Sequence, residues 1–193
     1  VASVIGAHGP LFAIRRSLHS PAPVEYFDDF FVSMDILLKG HRAIQSDEFV
    51  AYKAVATKRA DEFRRKIRIA CQSFHIHRLL APRLRQQSAL IRYCYASHKT
   101  LRWLTIFSLA AAALAGTGWM MATGLGLYAL SAWLLFGAMM ALGSLHVRPF
   151  SAGYEVMCAL VATGIGVLQS MRGVVYQTWT PANSARGSLK REA

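Results

Sequence analysis

Two groups of residues in this 193-residue chain have side chains suited to a reaction site. The first is the pair Asp28 and Asp29 in VEYFDDFFVSMDILLKG, set between aromatic residues in a chain with ten acids and a net charge of +12. Adjacent carboxylates flanked by apolar rings are costly to bury, so they need a partner, a purpose or open solvent. An ionised carboxylate can accept a proton, and at a helix start it can also cap the helix. The second group lies in and just beyond the basic run KRADEFRRKIRI, where Arg65, Arg68 and Gln72 share a face at helical spacing. Guanidinium groups on one face attract anions, although a charge run is also an ordinary solvated helix face.

The elements that must position these groups are read from periodicity. Phe31, Met34, Ile36, Leu37 and Leu38 suit an amphipathic helix that starts at Asp28 or Asp29 and stops at Gly40. A second, longer helix is expected from about Lys58 to Leu80, ended by Pro82, with an apolar stripe of Phe63, Ile67, Ala70, Cys71 and Phe74. PLFAIRR, after the turn GAHG, has the apolar content of a short buried strand, and HRAIQSDEFVAYKAV reads as two short strands around Ser46 and Asp47.

Charge divides the chain. Eight of the ten acids lie at or before Glu62, and no Asp, Glu, Lys or Arg occurs from Trp103 to Val147. Such a run is enough for two bilayer crossings of roughly 20 residues each. Spans are expected at about Leu101 to Ala122, Leu125 to His146 and Ala152 to Met171, with Gly116, Gly137, Gly143, Gly164 and Gly166 allowing close helix approach. LRQQSALIRYCYASHKTLRW mixes arginines and aromatics as an interfacial helix does, and Arg102 with Trp103 reads as an interface anchor. A cytoplasmic front half agrees with Arg148 in the second loop, but three crossings put the basic tail with Arg172, Arg186, Lys190 and Arg191 outside. Either those charges do not decide topology or the third segment, interrupted by Glu155, does not fully cross. Cys71, Cys94 and Cys158 are widely spaced and read as reduced packing residues. His75 and His77 fall on different helix faces, so no metal is assigned to them.

The order of motifs resembles the C-terminal portion of membrane-bound family 2 glycosyltransferases, the class of the bacterial cellulose, hyaluronan and poly-N-acetylglucosamine synthases. GAHGPLFAIRR looks like the acceptor-side glycine segment and its following strand, FDDF like the acidic motif, and EFRRKIRI stands where the family carries QxxRW. The resemblance implies an α+β fold, the C-terminal half of a GT-A-like domain, followed by an interfacial helix and about three transmembrane helices. Its implied divisions are 1–82 catalytic, 83–100 interfacial, 101–172 transmembrane and 173–193 tail. It further implies Asp29 as general base with Asp28 beside it, Arg68 and Arg65 on the leaving diphosphate with Gln72 near them, and His8 and Gly9 facing the acceptor. Arg65 stands for the family's glutamine and Ile69 for its tryptophan, which counts against synthesis of long polymers. WTP at Trp179 is similar to the tail of some members.

The family binds Mg²⁺ or Mn²⁺ with the nucleotide through a DxD motif in an N-terminal half, and no DxD occurs here. The chain is therefore expected to be a fragment of an inverting glycosyltransferase, inactive alone. Its partners would be a nucleotide sugar, a saccharide or lipid-linked acceptor and the bilayer, without nucleic acid. Its expected location is the bacterial inner membrane with the catalytic part cytoplasmic. The competing reading is a small non-enzymatic membrane protein whose basic cytoplasmic face binds anionic lipid or nucleic acid. The enzyme reading requires Asp28, Asp29, Arg65 and Arg68 to face one concavity; the other leaves the acids apart from the arginines.

Overall fold

The computed structural model describes residues 11–22, 28–44, 46, 48, 50 and 58–176. These form helices α1 (Asp28–Leu38), α2 (Arg59–Arg85), α3 (Ala89–Tyr95), α4 (Leu101–Ala122), α5 (Gly126–Ser144) and α6 (Phe150–Met171). A π-helical turn, Ala96–Thr100, joins α3 to α4, and a 3₁₀ turn covers Arg16–Leu18.

The α+β, GT-A-like expectation is overturned: 77% of the described structure is helix and no strand occurs among the described residues. Leu11 to Arg15 is irregular and leads into the 3₁₀ turn, and residues 41–44, Ser46, Glu48 and Val50 are irregular or turn. The remaining residues of the two expected strands, 45, 47, 49 and 51–55, lie outside the described residues. An alternating pattern makes a strand only where a neighbour accepts its backbone hydrogen bonds and buries one face. Leu11 and Phe12 bury no such face, being 50% and 40% exposed.

The helical expectations fare better. α1 begins at Asp28 and ends where Gly40, at φ +84°, lets the His41 N–H reach back to the Ile36 carbonyl at 3.1 Å. α2 runs past Pro82 to Arg85. A proline removes one helical hydrogen bond, and this last turn is held from outside: Arg83 binds Asp35 of α1, Leu84 packs on the core, and Gln87 Nε2 donates to the Leu38 carbonyl at 3.2 Å.

One core joins the elements. Phe30, Phe31, Val32, Met34, Leu37 and Leu38 of α1 pack with Ile76 and Leu80 of α2, Tyr95, Trp103 and Val167. Trp103 is therefore buried rather than an interface anchor, with its ring edge-on to Phe74 at 5.3 Å and near His77 at 5.1 Å. Three of the five small positions expected at close contacts are such contacts. A Cβ on Gly143 would lie 2.6 Å from Tyr154 Cβ, one on Gly164 2.6 Å from Ile106 Cγ2, and one on Gly166 2.5 Å from the Ile67 carbonyl oxygen. Gly116 and Gly137 face open space, because α4 and α5 are only lightly packed at those levels.

α4, α5 and α6 are long and apolar enough to cross a membrane, which makes the chain a membrane protein. On α4 and α5 large apolar side chains are exposed, including Leu114 at 72% and Leu127 at 82%, as suits surfaces in contact with lipid.

Candidate functional site

The acid pair opens α1. The Asp29 carboxylate accepts the Phe30 N–H at 2.8 Å, satisfying one of the backbone donors left over at a helix start, and the dipole there favours its charge. The Lys99 ammonium, in the turn before α4, lies 4.5 Å from the centre of the adjacent Phe30 ring and feels the Asp29 charge. Asp28 is the first helical residue; its side chain, like all of His8 and Gly9, falls outside the described residues.

The cationic face lies on α2. Arg65 makes a two-pronged ion pair with Glu62, at 2.8 and 2.9 Å, and this pairing raises its proton affinity. Arg68, one turn on, is half-buried. Burial pulls its pKa down, the like charge of Arg65 adds to that, and the Tyr176 phenol opposes it. Gln72 is buried and its amide donates to the Tyr176 carbonyl at 2.6 Å. Gln72 thus ties α2 to the segment following α6, whose Tyr176 hydroxyl donates to Gln169 Oε1 at 2.8 Å, and Arg68 lies one turn before Gln72 on the same face. Arranged this way, the guanidinium of Arg68 is poorly hydrated beside a second cation, a setting that favours an incoming anion.

The two groups are positioned by different parts of α2, so the structure does not gather Asp29 with Arg65 and Arg68 in one hollow, the arrangement that the enzyme reading requires. α1 rests on its second half through Ile76, Leu80 and Arg83, whereas Arg65, Arg68 and Gln72 lie in its first half against the segment after α6. An open hollow of about 410 Å³ lies against α3, lined by Ala89, Arg92, Tyr93 and Ala96, none of them a predicted site residue.

Three clusters went unread in the sequence. Asp35, buried in the apolar face of α1, binds Arg83 at 2.6 Å and Lys39 at 2.7 Å. The signal was available, since an acid inside SMDILL needs a cation. Arg59 reaches Glu155, the Ser144 carbonyl and the Tyr154 ring, so the acid that interrupts the third apolar segment has its partner on α2. His77 is stacked on Tyr95 and hydrogen-bonded to its hydroxyl at 3.0 Å. Burial, with a smaller contribution from the Arg85 charge, depresses its pKa. Burial likewise pushes the Cys71 thiol up, away from reactivity.

Among the described residues no three His, Cys, Asp or Glu side chains converge as a metal site. The described acids do not fit an Mg²⁺ or Mn²⁺ centre: Asp35, Glu62 and Glu155 are engaged by cations and Asp29 caps α1. No family model, no curated protein and no solved structure matches the chain.

Proposed function

We propose that this chain supplies the acceptor side and membrane anchor of an inverting glycosyltransferase, which moves a sugar from a nucleotide sugar to a saccharide or lipid-linked acceptor. One observation carries the reading: Arg65, Arg68 and Gln72 share a face of a helix packed against an apolar helix of membrane length, with Gln72 bonded to the Tyr176 carbonyl. Cationic side chains beside apolar helices suit a meeting of a water-soluble donor with a membrane-held acceptor. In the reaction an acceptor hydroxyl bonds to the anomeric carbon from the side opposite the diphosphate, the bond from that carbon to the diphosphate oxygen breaks, and the hydroxyl proton passes to Asp29. The diphosphate leaves with the electron pair and is met by Arg68. Nucleotide and divalent metal are held by a separate nucleotide-binding part, and Ile69 in place of an aromatic platform suits short products.

The experiment is sugar transfer by membranes carrying the complete protein, using a panel of radiolabelled nucleotide sugars. Asp29→Asn abolishes transfer and leaves nucleotide-sugar binding intact; unchanged turnover removes Asp29 from the base role. The coding sequence upstream of Val1 is a second check, since a DxD-bearing segment supports the reading and an in-frame stop with none nearby sinks it.

The competing function, a non-enzymatic protein with a basic face for anionic lipid, is favoured by the use of Asp29 as a cap on Phe30 in a helix that rests on the half of α2 away from Arg65 and Arg68. Under that reading Asp29 serves only as a cap and charge partner, and no nucleotide sugar is turned over.

A further inference from the structure

The third apolar helix has the length of a span but the wrong direction. Two relations fix its course. At the foot of α5, Gly143 touches Phe150 and Tyr154 at the start of α6; near the foot of α4, Ile106 and Phe107 touch Gly164. α4 and α5 are joined to each other higher up, where Trp133 Nε1 donates to Thr117 Oγ1 at 3.0 Å, and they close through the turn at Thr123 to Leu125. Ile106 and Ser144 are equally far along the chain from that bond, so both feet lie about 16 Å below it. α6 nevertheless meets one foot and then the other at points about 15 Å apart along its own axis. It therefore runs across the open end of the α4–α5 hairpin, steeply inclined to it, rather than alongside as a third parallel rod.

The second relation is the pairing of α6 with α2. Arg59 meets Glu155 near the two helix starts, Ile67, Ala70 and Cys71 meet Gly166, and Arg78 donates to the Ser170 carbonyl near the end. The helices are parallel and at one level. If α6 crossed a bilayer, Arg64, Arg65, Lys66 and Arg68 of α2 would sit beside its middle, at the depth where charged side chains are most costly. The chain after α6 also stays on α2: Val174 O accepts from His75 and Cys71, and Tyr176 O accepts from Gln72.

We propose that α2 and α6 form a layer lying along the surface of an anionic bilayer, with α4 and α5 the two crossings, so that the segments before α4 and after α6 remain on one side. The occupant of this layer's outer surface is the lipid headgroup region. Charge complementarity supports it, since Arg64, Arg65, Arg92, Arg102, Arg148 and Arg172 are all exposed, around the foot of a hairpin with no charged residue of its own from Trp103 to Val147. Apolar groups of α6 such as Val156 and Val161, 61% and 37% exposed, suit the headgroup and acyl boundary. The arrangement also removes the conflict with the positive-inside tendency, because the basic tail no longer lies across the membrane from the basic front half. None of this depends on the enzymatic reading.

The test places a nitroxide at Val161, the middle of α6, and another at Leu114 of α4, in full chains whose three native cysteines are changed to Ala. The protein is reconstituted in bilayers of phosphatidylethanolamine and phosphatidylglycerol. The Val161 label is expected to collide with a water-soluble nickel complex as interfacial labels do, and the Leu114 label to collide with oxygen as deep labels do; equal depth overturns the proposal. A wild-type arm without cysteine changes carries epitope tags after Ala193 and between Thr123 and Gly124. The tags are expected on opposite faces of the membrane, and finding both on one face overturns the proposal equally. Replacing the anionic lipid by phosphatidylcholine should speed hydrogen exchange in α2 several-fold; an unchanged rate rejects the anionic headgroup as the partner.

Discussion

Arg59 of α2 approaches Glu155 of α6 to 3.3 Å, and the same guanidinium donates to the Ser144 carbonyl at 3.0 Å and lies 5.3 Å from the centre of the Tyr154 ring. One side chain thus ties α2 to the end of α5 and the start of α6, and the carbonyl end of α5 is where a cation is favoured. The ion pair is largely exposed, Glu155 being 61% accessible, so alone it is worth well under 1 kcal/mol. Arg59→Ala is therefore expected to lower thermal stability in detergent more than Glu155→Ala does, by about 1 kcal/mol in total, because it also removes the carbonyl and ring contacts. Equal melting shifts would show that only the ion pair matters.

At Gly166 the backbone of α6 lies directly against that of α2. An added Cβ meets backbone, 2.5 Å from the Ile67 carbonyl oxygen and 2.9 Å from the Cys71 nitrogen, so the helices themselves must move apart. Gly166→Ala should cost about 1–3 kcal/mol, and Gly166→Val more. Gly153 lies in the same helix with open space around its Cβ position, and Gly153→Ala should be neutral or gain up to about 1 kcal/mol. Chemical denaturation of the two alanine variants in one detergent separates the predictions.

These contrasts show what sequence could and could not reveal. The apolar helices α4, α5 and α6 were legible because length and absence of charge are properties of a single segment, and α1 because its caps and apolar spacing are local. The strand expected at PLFAIRR failed for the opposite reason: it requires a partner elsewhere, and no spacing within it supplies one. The course of α6 was hidden in the same way, since its composition suits a span and only the contacts of Gly164 with Ile106 and of Gly166 with Ile67 set its direction. At the candidate site, the shared neighbourhood of Arg65, Arg68 and Gln72 followed from helical spacing. That the Tyr176 carbonyl meets Gln72, and that Lys99 lies over the Phe30 ring next to Asp29, depends on where distant segments fold back.

Asp35 joins α1 to the end of α2 through Arg83 and holds Lys39 on its other oxygen. Burial acts to raise its pKa, but hydrogen bonds from Lys39, Arg83 and Ser20 outweigh this and hold it below the usual carboxylate value. A depressed folded pKa means that the unfolded chain binds the proton first. The contribution is complete above the unfolded value of 3.8 and is lost as pH falls through the folded one. Asp35→Asn should cost about 1–2 kcal/mol at neutral pH, a figure held down by the exposure of both cations, and should flatten the acid limb of the stability profile. A variant whose midpoint still falls as steeply below pH 4 would assign that limb to other carboxylates.

The two arginines of the proposed diphosphate site are not equivalent. Arg65 is already bound in two-pronged fashion by Glu62, whereas Arg68 is pressed by burial and by the charge of Arg65 beside Tyr176. At Arg65 an anion must compete with the two-pronged Glu62 pair, whereas Arg68 offers a half-buried charge outside that pair. If the proposed transfer reaction is right, Arg68→Ala should lower kcat by about 10²-fold, as loss of a preorganised charge donor does, and Arg65→Ala by much less. Reversed magnitudes would mean that Glu62 releases Arg65 on substrate binding.

His77 gives the fold a separate sensitivity in mild acid. Its ring is packed among Phe74, Tyr95 and Trp103 and bonded to the Tyr95 hydroxyl, and burial, reinforced by the Arg85 charge, makes its protonation unfavourable. With the folded pKa below the unfolded value of 6.5, both states are neutral at higher pH and the contribution is then complete. As pH drops below 6.5, the unfolded chain takes up a proton that the folded chain refuses, and stability declines until the folded pKa is passed. His77→Phe keeps the apolar contacts and removes the titration. Its stability should therefore be lower than wild type at pH 8, through loss of the Tyr95 hydrogen bond, yet vary less between pH 7 and pH 5. Melting curves at those pH values decide the matter, and parallel declines in the two proteins would move the titration to another group.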